Sequence, residues 1–205
     1  MARISRADQK ERNRAALLAT ARTQFLDAGY AATSLDAIAE AAGFSKGAVY
    51  SNFKDKPTLC RAVLEDIHGE KLNELRGIVE QSTDLHGMLD AFAAWVRRTI
   101  GDVEWTMLEM EFAVLSRHHP EQKAMIVSLR EDARDALAGL LETVLGDFSP
   151  LIDQAAADTS NPVPTRDEIA DLILSTGIGL GIQRAIDPAV SVEPGIALIR
   201  SAFGR

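Results

Sequence analysis

One stretch, Thr33 to Lys56, TSLDAIAEAAGFSKGAVYSNFKDK, constrains this chain more than any other. Leu35, Ile38, Ala39 and Ala42 recur at i, i+3, i+4 and i+7, the period of an amphipathic helix. Thr33 or Ser34 is placed to cap that helix. Gly43 stands where it must stop, because glycine enters the left-handed region without a Cβ clash. Phe44 then anchors the turn, and Ser45 is a second cap, opening a helix from Lys46 to Asn52. That helix is small and polar over most of its surface, with Val49 and Phe53 as inward anchors and Lys46, Lys54 and Lys56 around it. Two short helices, a tight turn and a basic exit are the layout of a helix-turn-helix DNA reader.

The residues Thr33, Ile38, Ala39, Ala42, Gly43, Phe44, Ser45, Gly47, Tyr50, Phe53 and Lys56 fall at fixed spacing. Together they resemble the DNA-binding domain of TetR-type transcriptional regulators. The position before Phe53, often His in that family, is Asn52, which still donates a hydrogen bond. A reader helix presents its first residues to base edges, which points to Ser45, Lys46, Gly47 and Ala48. Lys46 can donate to guanine, Gly47 admits close backbone approach, and the Ala48 methyl can meet a thymine methyl. Thr33, Tyr50, Asn52 and Lys56 are expected on phosphates, where they set register; the resemblance implies this most directly for Tyr50 and Lys56. A core position for the Tyr50 ring is the competing reading.

A net charge of −8 sits badly with a DNA binder until it is divided. Residues 1–56 hold nine basic and six acidic side chains, a net of +3, which leaves −11 for the rest. A basic head on an acidic body is expected where only the head meets phosphate. Arg3 and Arg6, in an expected mobile arm over residues 1–10, would add to that head. The hydrophobic fraction of 46% and charged fraction of 25% are ordinary for a globular chain of 205 residues. No apolar run approaches the ~20 residues of a membrane span, and MARISRADQKERNR has no apolar core of an export signal. Neither a membrane partner nor export is expected. A single Cys60 excludes an internal disulfide and fits a buried helix position in a cytoplasmic protein.

The remaining chain reads as helix throughout, giving an all-α fold. A first helix is expected from about Lys10 to Ala28, with Leu18, Ala21 and Phe25 inward and Gly29 as its stop. A long helix follows Asp55-Lys56-Pro57 to about Val79, and the resemblance gives it the role of joining reader to body. Further helices are expected at 85–100, 105–115 and 121–145. A proline-broken connection follows, with a short turn at 151–157, then helices at 168–186 and about 194–203. Thr165 and Glu168 form a capping box before the penultimate helix. The expected division is a helix-turn-helix domain over residues 1–56 and a ligand-binding and dimerisation domain over 57–205.

Two sites are expected in the body, both carried by the resemblance. Phe92, Trp95, Trp105, Met107, Met110, Glu111 and Phe112 fall on middle helices and are candidates for a small-molecule effector pocket. Glu111 is the polar candidate, since a carboxylate in the run EMEFAVL needs a partner, either a salt bridge within the core or a cationic or hydroxyl-bearing ligand. A plain helical core is the competing reading of this stripe. Leu172, Ile173, Thr176, Leu180, Ile196, Ile199 and Phe203, with the glycine-rich IGLGIQ, resemble the family's four-helix dimer interface. His118-His119 beside Glu121 lacks a third ligand at useful spacing, and no phosphate loop, nucleophile elbow or Cys-x-x-Cys occurs. No enzymatic activity, metal or cofactor is expected. The sequence therefore points to a homodimeric transcriptional repressor that binds a palindromic double-stranded operator and is released by an effector. An activator of the same fold, or a helical binding protein without DNA binding, are the alternatives.

Overall fold

Helix starts and stops in this chain are set by short local signals, and the computed structural model shows each at work. It describes residues 5–100, 103–147 and 165–203. In chain order the helices are α1 Arg6–Ala32, α2 Leu35–Ala41, α3 Lys46–Asn52, α4 Lys56–Gln81, α5 Leu85–Thr99, α6 Glu104–Ser116, α7 Pro120–Asp147, α8 Arg166–Ile186 and α9 Glu193–Phe203. No strand occurs among the described residues. The expected turn at 151–157 and Arg3 lie outside them.

Helix α1 starts earlier than its apolar pattern suggests. The Ser5 hydroxyl accepts the Asp8 N–H and the Asp8 carboxylate accepts the Ser5 N–H, a capping box that places Arg6 in the first turn instead of a mobile arm. Its buried stripe is Leu17, Ala21 and Phe25, with Leu18 only half-buried. Gly29 breaks the helix as expected, at φ 83° and ψ 168°, a region open essentially to glycine alone. One further turn, carrying Tyr30, follows it before Thr33.

The chain packs as two compact units. The first comprises Met1–Ile67 and Met107–Leu129, the second His68–Thr106 and Arg130–Arg205. This division differs from a cut at residue 56, because part of α6 and the start of α7 pack with the amino-terminal helices. In the first unit Tyr30 lies between Phe25 and Phe112, with ring centroids 5.8 and 5.0 Å away. Ile38, Val49, Phe53, Leu59, Val63 and Leu64 complete a core in which each is at most 1% exposed. Burying each such side chain stabilises the unit by roughly 1.5–3 kcal/mol. Cys60 is buried there, and burial pushes its thiol pKa up, so it is held as an unreactive thiol.

In the second unit Ala93 and Val96 of α5 pack on Val192 and Ile196, bordered by Phe92, Trp95, Ile100 and Leu180. Arg97 clasps Glu193 through two hydrogen bonds of 2.6 and 2.8 Å, and Arg200 meets Asp90 at 2.6 Å, pinning α9 to α5. A second cluster joins Leu137 and Ala138 of α7 to Ala170 of α8. Helix α8 is long and apolar enough to cross a bilayer by length and composition alone. Only 11% of its apolar window is buried within the chain.

Candidate nucleic-acid interface

Helices α2 and α3 are joined by a turn whose every hydrogen bond is local. Ser34, not Thr33, caps α2, its hydroxyl accepting the Ala37 N–H at 3.1 Å. At the other end the Phe44 N–H reaches the Ala39 carbonyl at 2.9 Å and the Gly43 N–H reaches Glu40 at 3.1 Å. That paired closure is a Schellman motif, and it requires the left-handed Gly43, at φ 72°. Ser45 then caps α3 by accepting the Ala48 N–H at 3.2 Å. Val49 and Phe53 are buried, which turns the other face of α3 outward. On that face Ser45, Lys46, Gly47, Tyr50 and Ser51 are exposed, Tyr50 by 57%, while Ala48 is half-buried. An added Cβ at Gly47 would meet nothing nearer than the Ser45 hydroxyl at 3.9 Å. Among the described residues nothing demands a glycine there.

Arg14 of α1 holds the far end of α3, a role the sequence pattern does not reveal. Its guanidinium donates to the Asn52 carbonyl at 3.1 Å and lies 4.3 Å from the centre of the Phe53 ring. Lys46 pairs with Asp36 of α2 at 2.5 Å, and this contact raises the lysine pKa.

Three of the residues expected on phosphates have internal partners. Thr33 is 5% exposed, and its hydroxyl donates to the carbonyls of Gln24 and Gly29 at 3.1 and 2.8 Å, closing the end of α1. Lys56 donates to the Ala31 carbonyl at 3.2 Å, with its ammonium 4.4 Å from the centre of the Tyr30 ring. Partial burial lowers the Lys56 pKa. The Asn52 amide donates to Ala48 of its own helix at 2.7 Å.

Glu111 has its partners inside the chain. Its carboxylate accepts the Tyr30 N–H at 2.6 Å and the Ala31 N–H at 2.9 Å, the two amides that follow the break at Gly29. A Cβ on Gly29 would come within 2.8 Å of the Glu111 Oε2. The carboxylate that the sequence offers to a ligand is therefore committed to the amino-terminal helices. Phe112 beside it is fully buried against Tyr30. The seven expected pocket residues divide, with Met107, Met110, Glu111 and Phe112 in the first unit and Phe92, Trp95 and Trp105 in the second. Trp95 stacks on Phe92 and donates to Glu74 at 2.8 Å. Of the seven, it alone lines an open groove of about 550 Å³ edged by Asn73, Glu74, Gly77 and Arg98.

The expected interface residues on α8 and α9 also split. Ile196 is 4% exposed and faces the α5 cluster, Leu180 packs beside it, and Ile173 packs on the α7 cluster. Ile196, on the first turns of α9, and Val192, just before that helix, lie four apart and share the cluster with Ala93 and Val96. The Phe203 side chain lies outside the described residues. Of the expected residues Leu172, 66% exposed, and Thr176 face outward and Ile199 is half-buried; Ile186 at 82% and Leu198 at 72% exposure, outside the expected set, also face outward. A Cβ at Gly177 or Gly179 would meet nothing within 4 Å, whereas Gly181 packs against Thr106.

Residues 17–63 match the model for bacterial regulatory proteins of the tetR family. No curated protein matches the sequence. Among solved structures, a TetR-family transcriptional regulator from Pectobacterium atrosepticum is 24% identical with a TM-score of 0.63, over 96% of this chain and 94% of that one. A putative transcriptional regulator from Rhodococcus sp. RHA1 superposes with a TM-score of 0.69 at 16% identity, over 94% and 95% of the two chains. The fatty acid degradation regulator FadR from Bacillus halodurans gives 0.65 at 15% identity, over 92% and 91%. This chain thus carries a tetR-family helix-turn-helix domain and has the all-α fold of TetR-family transcriptional regulators.

Proposed function

We propose that the protein is a non-enzymatic transcriptional regulator of the cytoplasm that binds a two-fold-symmetric DNA operator as a homodimer and is released by a small molecule. The observation that carries the DNA-binding part is the outward face of α3. A seven-residue helix held by Ser45, Val49, Phe53 and Arg14 presents Ser45, Lys46, Gly47 and Tyr50 to solvent. A face so poor in apolar groups adds nothing to a core but fits a major groove. Residues 1–56 form the DNA-binding segment in this reading and residues 57–205 the ligand-binding and dimerisation segment. Part of α6 and the start of α7 brace the first.

The homodimer reading rests on Leu172, Ile186 and Leu198 and on the open space over Gly177 and Gly179. Large apolar side chains left exposed on the last two described helices suit an interaction surface. Effector binding is placed in the second unit, around Trp105. Its indole N–H and the Thr99 hydroxyl are buried there without a hydrogen-bond partner among the described residues. An unpaired buried donor is costly, and a ligand acceptor would offset that cost. Release follows if the effector prefers a dimer whose two readers no longer match the operator spacing.

Mobility-shift titration of the DNA upstream of the gene, with and without a small-molecule panel, tests this. The expected result is a saturable shift reversed by at least one compound. No shift on that DNA or on any sequence enriched from a random library sinks the reading.

A further inference from the structure

The Lys46–Asp36 pair has no evident structural purpose, and that is what makes it informative. Nζ and Oδ2 are 2.5 Å apart, yet the side chains are 68% and 55% exposed. An ion pair so exposed adds little to stability. The two helices are already joined by the Gly43 closure and by burial of Ile38, Ala39 and Val49. The pair lies at the first turns of α2 and α3, beside the exposed Tyr50 and on the outward face described above.

A lone lysine is a compact point charge on a flexible stem, equally satisfied by any phosphate. A carboxylate beside it changes both properties. It takes one of the three ammonium N–H bonds and fixes the direction of the other two, which match the paired O6 and N7 acceptors of guanine. Its negative charge also opposes the phosphate backbone, so the ammonium gains less from sliding onto a neighbouring strand. On the reading that α3 enters the major groove, we infer that Asp36 is a specificity-determining residue that holds Lys46 on a guanine in each half-site.

The test uses the full chain as wild type, Asp36→Asn, Lys46→Ala and the double variant. Each is put through selection from a randomised duplex library, and anisotropy titrations at several salt concentrations follow. Circular dichroism confirms folding, which these exposed positions leave intact. The wild-type motif should hold one guanine per half-site that Lys46→Ala loses. Asp36→Asn should weaken preference at that same position by at least about five-fold. It should also bind scrambled duplex more tightly, with a salt slope steeper by about one. The double variant should show the same base preference at that position as Lys46→Ala, since Asp36 has then no ammonium to direct. An unchanged guanine preference in Asp36→Asn, or a change at a position that Lys46→Ala leaves alone, overturns the inference while leaving the DNA-reader reading intact. A wild type that enriches no motif and binds no duplex overturns both, and is told apart because the variants then have no preference to lose.

Discussion

Removing the Glu111 carboxylate should loosen the junction of α1 and α2 more than any nearby surface change. Its oxygens accept two backbone N–H bonds, from Tyr30 at 2.6 Å and Ala31 at 2.9 Å. Hydrogen bonds to an ionised acceptor contribute about 1.5–3 kcal/mol each. The Ala31 amide is exposed and regains water in Glu111→Ala, whereas the Tyr30 amide is partly buried and does not. The expected loss is therefore about 2–4 kcal/mol, or roughly 5–15 °C in Tm for a chain of this length. Gly29→Ala supplies the complementary perturbation. It forces alanine to φ 83° and ψ 168°, at about 1–3 kcal/mol, and drives its Cβ to 2.8 Å from the Glu111 Oε2. With Glu111 already truncated that clash is gone, so the double variant should be less damaged than the sum of the two singles. Thermal melts give the energies, and amide hydrogen exchange at Tyr30 and Ala31 locates them. A loss below about 0.5 kcal/mol with unchanged exchange at those amides, or strict additivity of the pair, would refute the reasoning.

Three other expectations concern the two candidate faces and one titration. Gly47→Ala should stabilise α3 by about 0.5–1 kcal/mol, because nothing inside the chain opposes a methyl there, yet weaken DNA binding. A melt and a binding curve on the same preparation check both signs. Leu172→Glu and Leu198→Glu, which alter side chains 66% and 72% exposed, should turn a sedimenting dimer into a folded monomer. Burial, with the nearby Cys60, Asp55 and Glu111, pushes the Tyr30 pKa from 10.0 up to about 12. Because the folded value is raised, the stability this group contributes is complete below pH 10 and is lost as pH rises to 12. The loss amounts to about 2–3 kcal/mol. Tyr30→Phe should flatten the alkaline limb of a denaturant-midpoint profile between those values, and an equally steep limb would count against the assignment.

What the sequence makes legible here is what depends on neighbours in the chain. Gly43, Ser45 and the Thr165–Glu168 box act within four residues of themselves, so their roles as stop, cap and capping box can be read directly. The inward positions of Val49 and Phe53 follow from helical period alone. Other residues are decided by partners far along the chain. Glu111 reads as a stranded carboxylate until Tyr30 and Ala31, some 80 residues away, supply its donors. Lys56 reads as a free cation until the Ala31 carbonyl and the Tyr30 ring take it up. Leu17 and Leu18 both fit the period of Ala21 and Phe25, and only packing separates them. Ile196 and Leu198 are equally apolar, and tertiary contacts send one to the core and the other to solvent. The early start of α1 was readable, because Ser5 and Asp8 already have capping-box spacing.

The central claim is that α3 reads DNA from two copies of this chain held at a fixed distance. Hydroxyl-radical footprinting on a duplex enriched from a random library tests it most directly. The account predicts two protected patches of inverted, related sequence whose centres lie about 34–36 Å apart, or a multiple of that, both lost in the Leu172→Glu monomer at the same protein concentration. A single protected patch, or two that survive unchanged in the monomer, would contradict it.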